Sequence, residues 1–248
     1  MKNNMSIITV KELTKNFGDF VSVNKISFEV DKGEILGFLG ANGAGKTTTI
    51  RMLCGLLKPS SGTAVVAGYD IYKESEEIKQ SIGYMSQKFS LYENLTIEQN
   101  IRFYSGIYGL KKSEIKEKTE MIVEKFGISK WKKSNVEKLP LGWKQKLSFA
   151  LALVHNPKII FLDEPTGGVD PIIRRQFWDL IYEASNNGTT IFVTTHYMDE
   201  AEYCNRVSIM VDGEIKALGT PKELKAKFNS QNMDGVFQIL ARGTVNKE

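Results

Sequence analysis

The clearest chemical feature of the sequence is the stretch from Gly40 to Thr47, which fits the pattern G-x-x-x-x-G-K-[ST]. It follows an apolar run at 35–39 and precedes a helical pattern, so it lies between a strand and a helix. Glycines let such a loop fold around an anion, with backbone N–H groups and the helix N-terminus facing phosphate oxygens. Lys46 adds a charge for the phosphates of a nucleotide, and Thr47 offers a hydroxyl to Mg²⁺. The predicted nucleotide contacts are Gly40, Asn42, Gly43, Ala44, Gly45, Lys46, Thr47 and Thr48.

A second apolar run, at 159–162, ends in the two acids Asp163 and Glu164. Such a run is typical of a buried parallel strand, and ligands of open α/β sheets bind at the carboxyl ends of the strands. Asp163 could hold Mg²⁺ there, usually through water, and Glu164 could polarise the water that attacks the γ-phosphorus. Alone, the pair is equally consistent with a solvated acidic turn; together with the phosphate loop, it indicates hydrolysis of a nucleoside triphosphate.

Three further features stand near these two motifs. Gln87 comes just after a short predicted strand, His196 ends another strand, and the segment 139–145 begins a helix shortly before the acidic strand. Without the other motifs, Gln87 would be interpreted as a surface amide, and His196 as a histidine at a strand end whose hydrogen bonds are satisfied. Their order along the chain, relative to the phosphate loop and the acidic strand, is what points to function.

With these motifs in this order, the chain resembles the ATP-binding cassette family of ATPases over nearly its whole length. The order is phosphate loop, glutamine loop, signature helix, acidic strand, a loop at 167–170 and a switch histidine. The resemblance implies a P-loop NTPase core of class α/β, in which a mixed sheet is flanked by helices. It also implies an N-terminal antiparallel β subdomain and an inserted helical subdomain.

The resemblance also implies roles for individual residues. Glu164 would be the catalytic base, His196 would contact the γ-phosphate, and Gln87 would touch Mg²⁺ or the attacking water. The metal would be held by Thr47, Gln87 and Asp163. Phe17 would stack on adenine, although a core aromatic of the first sheet is the alternative.

Members of this family work as head-to-tail dimers, in which each nucleotide lies between the phosphate loop of one subunit and the signature helix of the other. Gly142 of that helix would contact ATP across the interface, and Asp170 would line the interface. The usual signature is L-S-G-G-Q, whereas Pro140 and Leu141 replace its serine and first glycine here. Proline has neither a hydroxyl nor an N–H, so either the donated half-site is weakened or the helix start, from Gly142 onward, acts through its backbone.

The segment around Tyr92 and Glu93 is similar to the coupling region of exporter ATPases that dock onto a permease. The resemblance implies the ATP-hydrolysing subunit of an ABC-2-type exporter, with ATP and Mg²⁺ as cofactors and a homo- or heterodimer as the working unit. Such a subunit would be cytoplasmic and peripheral, held at the cytoplasmic face of the membrane by its permease. The alternatives are a soluble cassette ATPase acting on the ribosome or nucleic acid, and a nucleotide-gated subunit with little turnover.

The elements that must position these residues follow from hydrophobic periodicity. Because Lys46 belongs to a loop and not to an apolar stripe, we expect its side chain to face solvent. Strands are predicted at 7–13, 21–30, 34–39, 63–67, 81–85, 158–162, 189–195, 206–211 and 214–218, and helices at 45–57, 96–108, 113–126, 143–155 and 171–186.

We divide the chain into a cassette ATPase domain at 1–229, with a helical and signature insert at 88–156, and a C-terminal tail at 230–248 with weak structural signals. With 248 residues, the chain can bury one core that carries an inserted subdomain. The net charge of +4 is too small to indicate a nucleic acid partner, and none is expected. We expect no bilayer-spanning helix, because no run of about 18 apolar residues is present.

Overall fold

The computed structural model describes residues 6–87 and 90–245, with the side chains of these up to residue 242. Residues 88 and 89, with which the predicted insert begins, lie outside the described part, as do residues 1–5 and 246–248. Within the described part, no helix combines the length and the apolar character that crossing a bilayer requires.

The first layer is a four-stranded antiparallel sheet whose strand order is β2-β1-β4-β5. Its two long strands form a hairpin in which Phe17 faces Phe20 across a turn at Gly18, where φ is 59°. The first strand extends four residues beyond the predicted one, because pairing continues up to this turn. The strands of this sheet are β1 (Ser6–Phe17), β2 (Phe20–Asp31), β4 (Ser61–Val66) and β5 (Tyr69–Asp70).

The second layer is a six-stranded mixed sheet whose order is β10-β9-β3-β8-β7-β6. The five strands from β9 to β6 are parallel, and β10 pairs antiparallel with β9. Three of the parallel strands, β3, β7 and β8, are buried at every residue, which explains why they read as unbroken apolar runs. The strands are β3 (Ile35–Leu39), β6 (Ile82–Met85), β7 (Ile159–Asp163), β8 (Thr190–Thr195), β9 (Arg206–Val211) and β10 (Glu214–Gly219).

The described residues form eight α-helices. The helix predicted at 45–57 is shorter than expected, because the chain turns at Gly55, where φ is 67°. The helices are α1 (Lys46–Leu53), α2 (Ser75–Ser81), α3 (Ile97–Ile107), α4 (Lys112–Lys125), α5 (Leu141–Ala152), α6 (Pro171–Asn186), α7 (Pro221–Lys227) and α8 (Met233–Val245).

Helices α3, α4 and α5 build a small core of their own, separate from the two cores against the mixed sheet. Helix α3 begins with a capping box, in which Thr96 accepts from the Gln99 amide and the Gln99 side chain accepts from the Thr96 amide. This core agrees with a helical insert, whose limits at 88–156 stay a prediction. Its buried residues include Ile97, Ile101, Ile122, Leu147 and Leu151.

The tail differs from the expectation of weak structure, since α8 packs against α7 and the 3₁₀ segment Met198–Tyr203. Met233 and Val236 are buried there, and Leu240 packs beside them. Their spacing is that of one helical face, a pattern that the sequence analysis missed. The fold as a whole, with one mixed sheet, flanking helices and an antiparallel sheet, confirms the predicted α/β class.

Candidate active site

The predicted catalytic residues meet at the carboxyl edge of the mixed sheet. The phosphate loop follows β3, Gln87 follows β6, and His196 follows β8, while Asp163 and Glu164 stand at the end of β7. Neighbouring parallel strands end at the same edge, so residues distant in sequence become neighbours in space. The structure therefore brings together four of the sequence motifs within one chain.

The phosphate loop depends on glycine at a crowded position. Gly45 has φ of 103°, and a Cβ there would lie 2.5 Å from the Ser22 carbonyl oxygen. Any other residue would combine backbone strain with a clash against β2. The loop wraps a cavity of about 320 Å³ that is also lined by Thr47, Thr48 and Gln87.

Lys46 does not face solvent as predicted; its side chain is only 4% exposed. Its ammonium group donates to the carbonyl oxygens of Gly40 at 2.8 Å and Ala41 at 3.1 Å, and lies 3.2 Å from Glu164 Oε1. The loop folds back over its own lysine, which a sequence pattern cannot reveal. The charge of Lys46 is thus fixed in place by the loop that is predicted to bind phosphate.

Asp163 is buried at the end of β7, where its Oδ1 accepts from Thr47 at 3.1 Å and from Thr194 at 2.8 Å. Burial raises the pKa of this carboxyl, and the two hydroxyl donors act against that shift. The Thr47 hydroxyl and the Asp163 carboxylate are oxygen ligands of the kind that Mg²⁺ takes. Their contact places two of the three predicted metal ligands, Thr47 and Asp163, beside the phosphate loop, whereas the side chain of the third, Gln87, donates to Glu164.

The carboxylate of Glu164 contacts three of the other predicted site residues. Its Oε1 faces Lys46, while its Oε2 lies 3.0 Å from His196 Nδ1 and accepts from Gln87 Nε2 at 3.2 Å. Its backbone has φ of 49°, the left-handed region, which costs a non-glycine residue about 1–2 kcal/mol. Contacts around it hold this conformation, including the bond from its amide to Thr194 Oγ1 at 3.0 Å.

The aromatic residue predicted to stack on adenine lies in the hairpin between β1 and β2, outside the lining of the phosphate-loop cavity. Phe17 is half exposed at the end of β1, with the Lys15 ammonium 5.1 Å from its ring centroid. The residue across the hairpin, Phe20, is 63% exposed and lines the cavity of the phosphate loop. The stacking role of Phe17 stays a prediction, and Phe20 is a second candidate that the sequence analysis missed. Its place opposite Phe17 in the hairpin is the signal that could have found it.

Gly142 and Asp170 stand at the starts of two helices that touch each other. Asp170 caps α6 by accepting from the amides of Ile172 and Ile173. Gly142 is buried in α5, and a Cβ there would lie 2.9 Å from the Ile173 side chain. Both roles across a dimer interface stay predictions. The structure shows that glycine at 142 lets α5 approach α6.

The variant signature forms a regular helix start. Pro140 is the N-cap residue of α5, and its carbonyl oxygen accepts from the amides of Trp143 at 3.0 Å and Lys144 at 3.1 Å. These two amides are therefore engaged within the chain, so the backbone role predicted for the helix start from Gly142 onward is left to the Gly142 amide. Deeper in the helix, Gln145 donates to the Gly167 carbonyl at 3.2 Å and ties α5 to the loop after the acidic strand.

Comparison with known proteins identifies the family. Residues 23–167, more than half of the chain, match the sequence model of the ABC transporter family. The chain belongs to that family. The predicted family and the predicted ATPase cassette are thereby confirmed, and the cassette is ATP-binding. The individual roles of the site residues stay predictions.

The relatives and solved structures agree with this assignment. The chain is 52% identical to the probable multidrug ABC transporter ATP-binding protein YbhF of Escherichia coli over 222 residues, which are 90% of this chain and 38% of that protein. It is 36% identical to the linearmycin resistance ATP-binding protein LnrL of Bacillus subtilis over 238 residues, 96% of this chain and 76% of that protein. A solved ATP-binding subunit of an ABC transporter superposes with a TM-score of 0.85 at 28% identity, covering 95% of this chain and 99% of that one.

The chain thus spans little more than a third of the length of YbhF. The names of these relatives describe transporter components and resistance proteins. They give no support to the alternative of a cassette that acts on the ribosome or on nucleic acid.

Proposed function

We propose that this chain converts ATP and water to ADP and phosphate, and that the cycle drives export through a separate permease of the ABC-2 type. The observation that carries the catalytic part is Glu164, held between Lys46, His196 and Gln87 at the mouth of the phosphate loop. A general base is expected to have its carboxylate held in position by neighbouring groups, as three side chains do here for Glu164.

The residues have separate tasks in this reaction. Glu164 accepts the proton of the attacking water, and Gln87 and His196 fix the direction in which its carboxylate points. Lys46 and the loop amides bind the phosphate oxygens. Thr47 and Asp163 would hold Mg²⁺, which would supply positive charge to neutralise the phosphates.

A phosphate-release assay on the purified chain, with Mg²⁺ present and then chelated, tests this proposal. We expect ATP-dependent phosphate release that is lost on chelation. A matched mutant, Glu202→Gln, removes a carboxylate that pairs with Lys225 on the surface and is expected to keep the parent rate. A parent chain that binds ATP and releases no phosphate would contradict the proposed hydrolysis. It would support the alternative of a nucleotide-gated subunit with little turnover, which the missing serine hydroxyl at Pro140 favours.

We propose that the working unit is a dimer of cassettes, either of two copies or of this chain with a related one. The starts of α5 and α6 expose Leu141 and Ile172, which are 42% and 72% exposed. Exposed apolar residues beside an anion site suit a contact that forms when ATP is bound. Sedimentation of a Glu164→Gln mutant with and without ATP tests this. A sedimentation coefficient that does not change with ATP would exclude the dimer of two copies and leave the dimer with a related chain.

The permease contact is proposed at the apolar surface formed by Tyr92, Phe103 and Ile107, which are all more than 40% exposed. The rings of Tyr92 and Phe103 meet edge to face, with centroids 4.8 Å apart. Glu93 beside them pairs with Lys144 of α5 at 2.6 Å, which links this surface to the signature helix. Through this contact the chain would lie at the cytoplasmic face of the membrane. The names of YbhF and LnrL make drugs or antibiotics the proposed class of cargo.

Membrane fractionation of cells that express the chain with its permease tests the docking surface. Tyr92→Ala combined with Phe103→Ala should release the chain from membranes while ATP affinity stays unchanged, because both rings lie outside the phosphate-loop cavity. Met121→Ala, which truncates an equally exposed apolar side chain on α4, is the control. If the double mutant stays with the membrane as well as the control does, this surface is not the dock.

A further inference from the structure

A stack of three side chains leads from α6 to Glu164, the proposed catalytic base. The guanidinium carbon of Arg174 lies 3.8 Å from the centroid of the Tyr197 ring, and that ring lies 4.2 Å from the His196 ring. His196 Nδ1 in turn is 3.0 Å from Glu164 Oε2. A cation within about 6 Å of an aromatic centroid is attracted to the ring face. Arg174 therefore sits two rings away from the predicted base, although it touches neither Glu164 nor the phosphate loop.

Arg174 is held in this position by a buried carboxylate. Glu200 is fully buried, and its Oε1 lies 3.7 Å from Arg174 Nε and accepts from Thr166 at 2.7 Å. A buried carboxylate is costly unless a positive charge or hydrogen bonds compensate it. Asp199 adds a second, exposed carboxylate 3.5 Å from Arg174 Nη1. The carboxylates of Glu200 and Asp199 thus attract the guanidinium electrostatically, while its flat face covers the Tyr197 ring.

His196 has few other constraints on its orientation. Its side chain is 34% exposed, and the one hydrogen bond found for it among the described residues is the bond to Glu164. It follows the last residue of β8, where the backbone pairing of the sheet ends. The Tyr197 ring packed against it is therefore a main restraint on which way the imidazole faces.

We propose that Arg174 is a positioning residue for ATP hydrolysis, which fixes Tyr197 and thereby holds His196 against Glu164. This inference rests on the proposed hydrolytic function. Arg174 lies in the first turns of α6, the helix that Asp170 caps. The stack consequently makes the orientation of His196 depend on the position of the helix that begins at the proposed dimer contact.

The test must separate an effect on catalysis from an effect on folding stability. Arg174→Ala alone would leave the buried Glu200 carboxylate without its positive partner and would destabilise the chain for that reason. Arg174→Ala is therefore made in a Glu200→Gln background, which keeps an acceptor for Thr166 and removes the buried charge. Compared with the Glu200→Gln single mutant, we expect the double mutant to have a kcat for ATP hydrolysis about tenfold lower, because a small misplacement of a catalytic group is costly. The KM for ATP should change less than about twofold. Melting temperatures of the two proteins check that both are folded.

Two comparisons show whether the effect passes through the stack. Arg175→Ala is the matched control, because Arg175 is the next residue of α6 and faces Tyr203, with its guanidinium carbon 5.5 Å from that ring centroid. It should leave kcat unchanged. When His196→Ala is added to the Glu200→Gln background, removing Arg174 should cost no further activity, because the residue through which it acts is already gone.

A spectroscopic measurement reads the stack without turnover. The chain has two histidines, so the imidazole signals of His196 and His155 are assigned by NMR with one substitution each. We expect Arg174→Ala in the Glu200→Gln background to shift the His196 ring signal towards that of an unstacked histidine and to leave His155 in place. An unmoved His196 signal, or an equal loss of kcat in the His196→Ala background, would overturn the inference. A parent protein without ATPase activity would instead overturn the proposed function.

Discussion

Lys46 Nζ lies 3.2 Å from Glu164 Oε1, and the two side chains are 4% and 8% exposed. The proposed phosphate ligand and the proposed catalytic base therefore compensate each other's charge inside the site. Breaking a buried pair by removing one partner costs more than the pair contributes, because the other charge is left unpaired. Each of these two residues consequently has a structural task besides its chemical one.

Lys46→Ala is expected to abolish the stabilisation of the chain by ATP. It should also lower the free energy of unfolding without nucleotide by about 1–3 kcal/mol, since Glu164 and the Gly40 carbonyl lose a buried partner. Urea unfolding with and without ATP measures both effects. Adding Glu164→Gln to Lys46→Ala removes the stranded charge and should recover part of the stability without recovering ATP binding. No loss of stability in the nucleotide-free single mutant would contradict the buried pair.

Glu164→Gln is expected to cut ATP turnover about 10²-fold or more, because an amide cannot accept the proton of the attacking water. The amide can still meet the Gln87 and His196 side chains, so ATP binding should persist and a closed dimer should accumulate. Phosphate release and equilibrium nucleotide binding measure the two quantities. Turnover near the parent rate would show that another group is the base.

The sequence predicted the edge at which this site forms, and the reason is physical. Strands such as β3 and β7 are buried at every residue, so their limits are visible as apolar runs, and parallel pairing then brings their ends together. It did not predict the burial of Lys46 or the left-handed backbone of Glu164, because both depend on how separate loops pack. The stack of Arg174 on Tyr197 joins α6 to a segment 23 residues away, and no local pattern indicates such a contact.

The second histidine, His155, makes the folding stability of the chain depend on pH in the acidic range. His155 stacks on Tyr108 with ring centroids 3.5 Å apart, its Nε2 lies 3.1 Å from the Ile82 carbonyl oxygen, and burial lowers its pKa from 6.5 to about 4. Between these two pH values the unfolded chain binds more protons at this residue than the folded chain does. Stability contributed by neutral His155 is therefore present above pH 6.5 and is lost as the pH falls towards 4.

We expect this residue to account for about 1–2 kcal/mol of the stability lost between pH 6.5 and 4.5, a value reduced for the partial exposure of the ring. His155→Phe keeps a ring against Tyr108 and cannot titrate. Its free energy of unfolding, measured by urea at several pH values, should depend less on pH over that interval than that of the parent. Parallel curves for the two proteins would show that His155 does not carry this dependence.

The last prediction concerns Pro140 and Leu141, which replace the serine and first glycine of the usual signature. A serine hydroxyl would add one hydrogen bond to a charged phosphate, worth about 1.5–3 kcal/mol. If nothing replaced it, Pro140→Ser with Leu141→Gly would tighten the ATP-dependent dimer roughly ten- to a hundredfold, since about 1.4 kcal/mol is tenfold. We expect no tightening, and we infer that the helix start is adapted to its present residues.

The adaptation lies in the packing of that helix start. Leu141 Cδ2 would be 3.8 Å from a Cβ at Gly168, and the Pro140 carbonyl already accepts two amides of α5. Glycine at 141 would remove this side chain and add backbone freedom at the first helical residue, which costs about 0.5–1 kcal/mol. The measurement is the ATP-dependent dimer dissociation constant of both forms in a Glu164→Gln background, where turnover is stopped. Pro140→Ser alone separates the hydroxyl from the loss of the leucine. Tenfold tighter dimers in the double mutant would show that the variant signature is a weakened half-site.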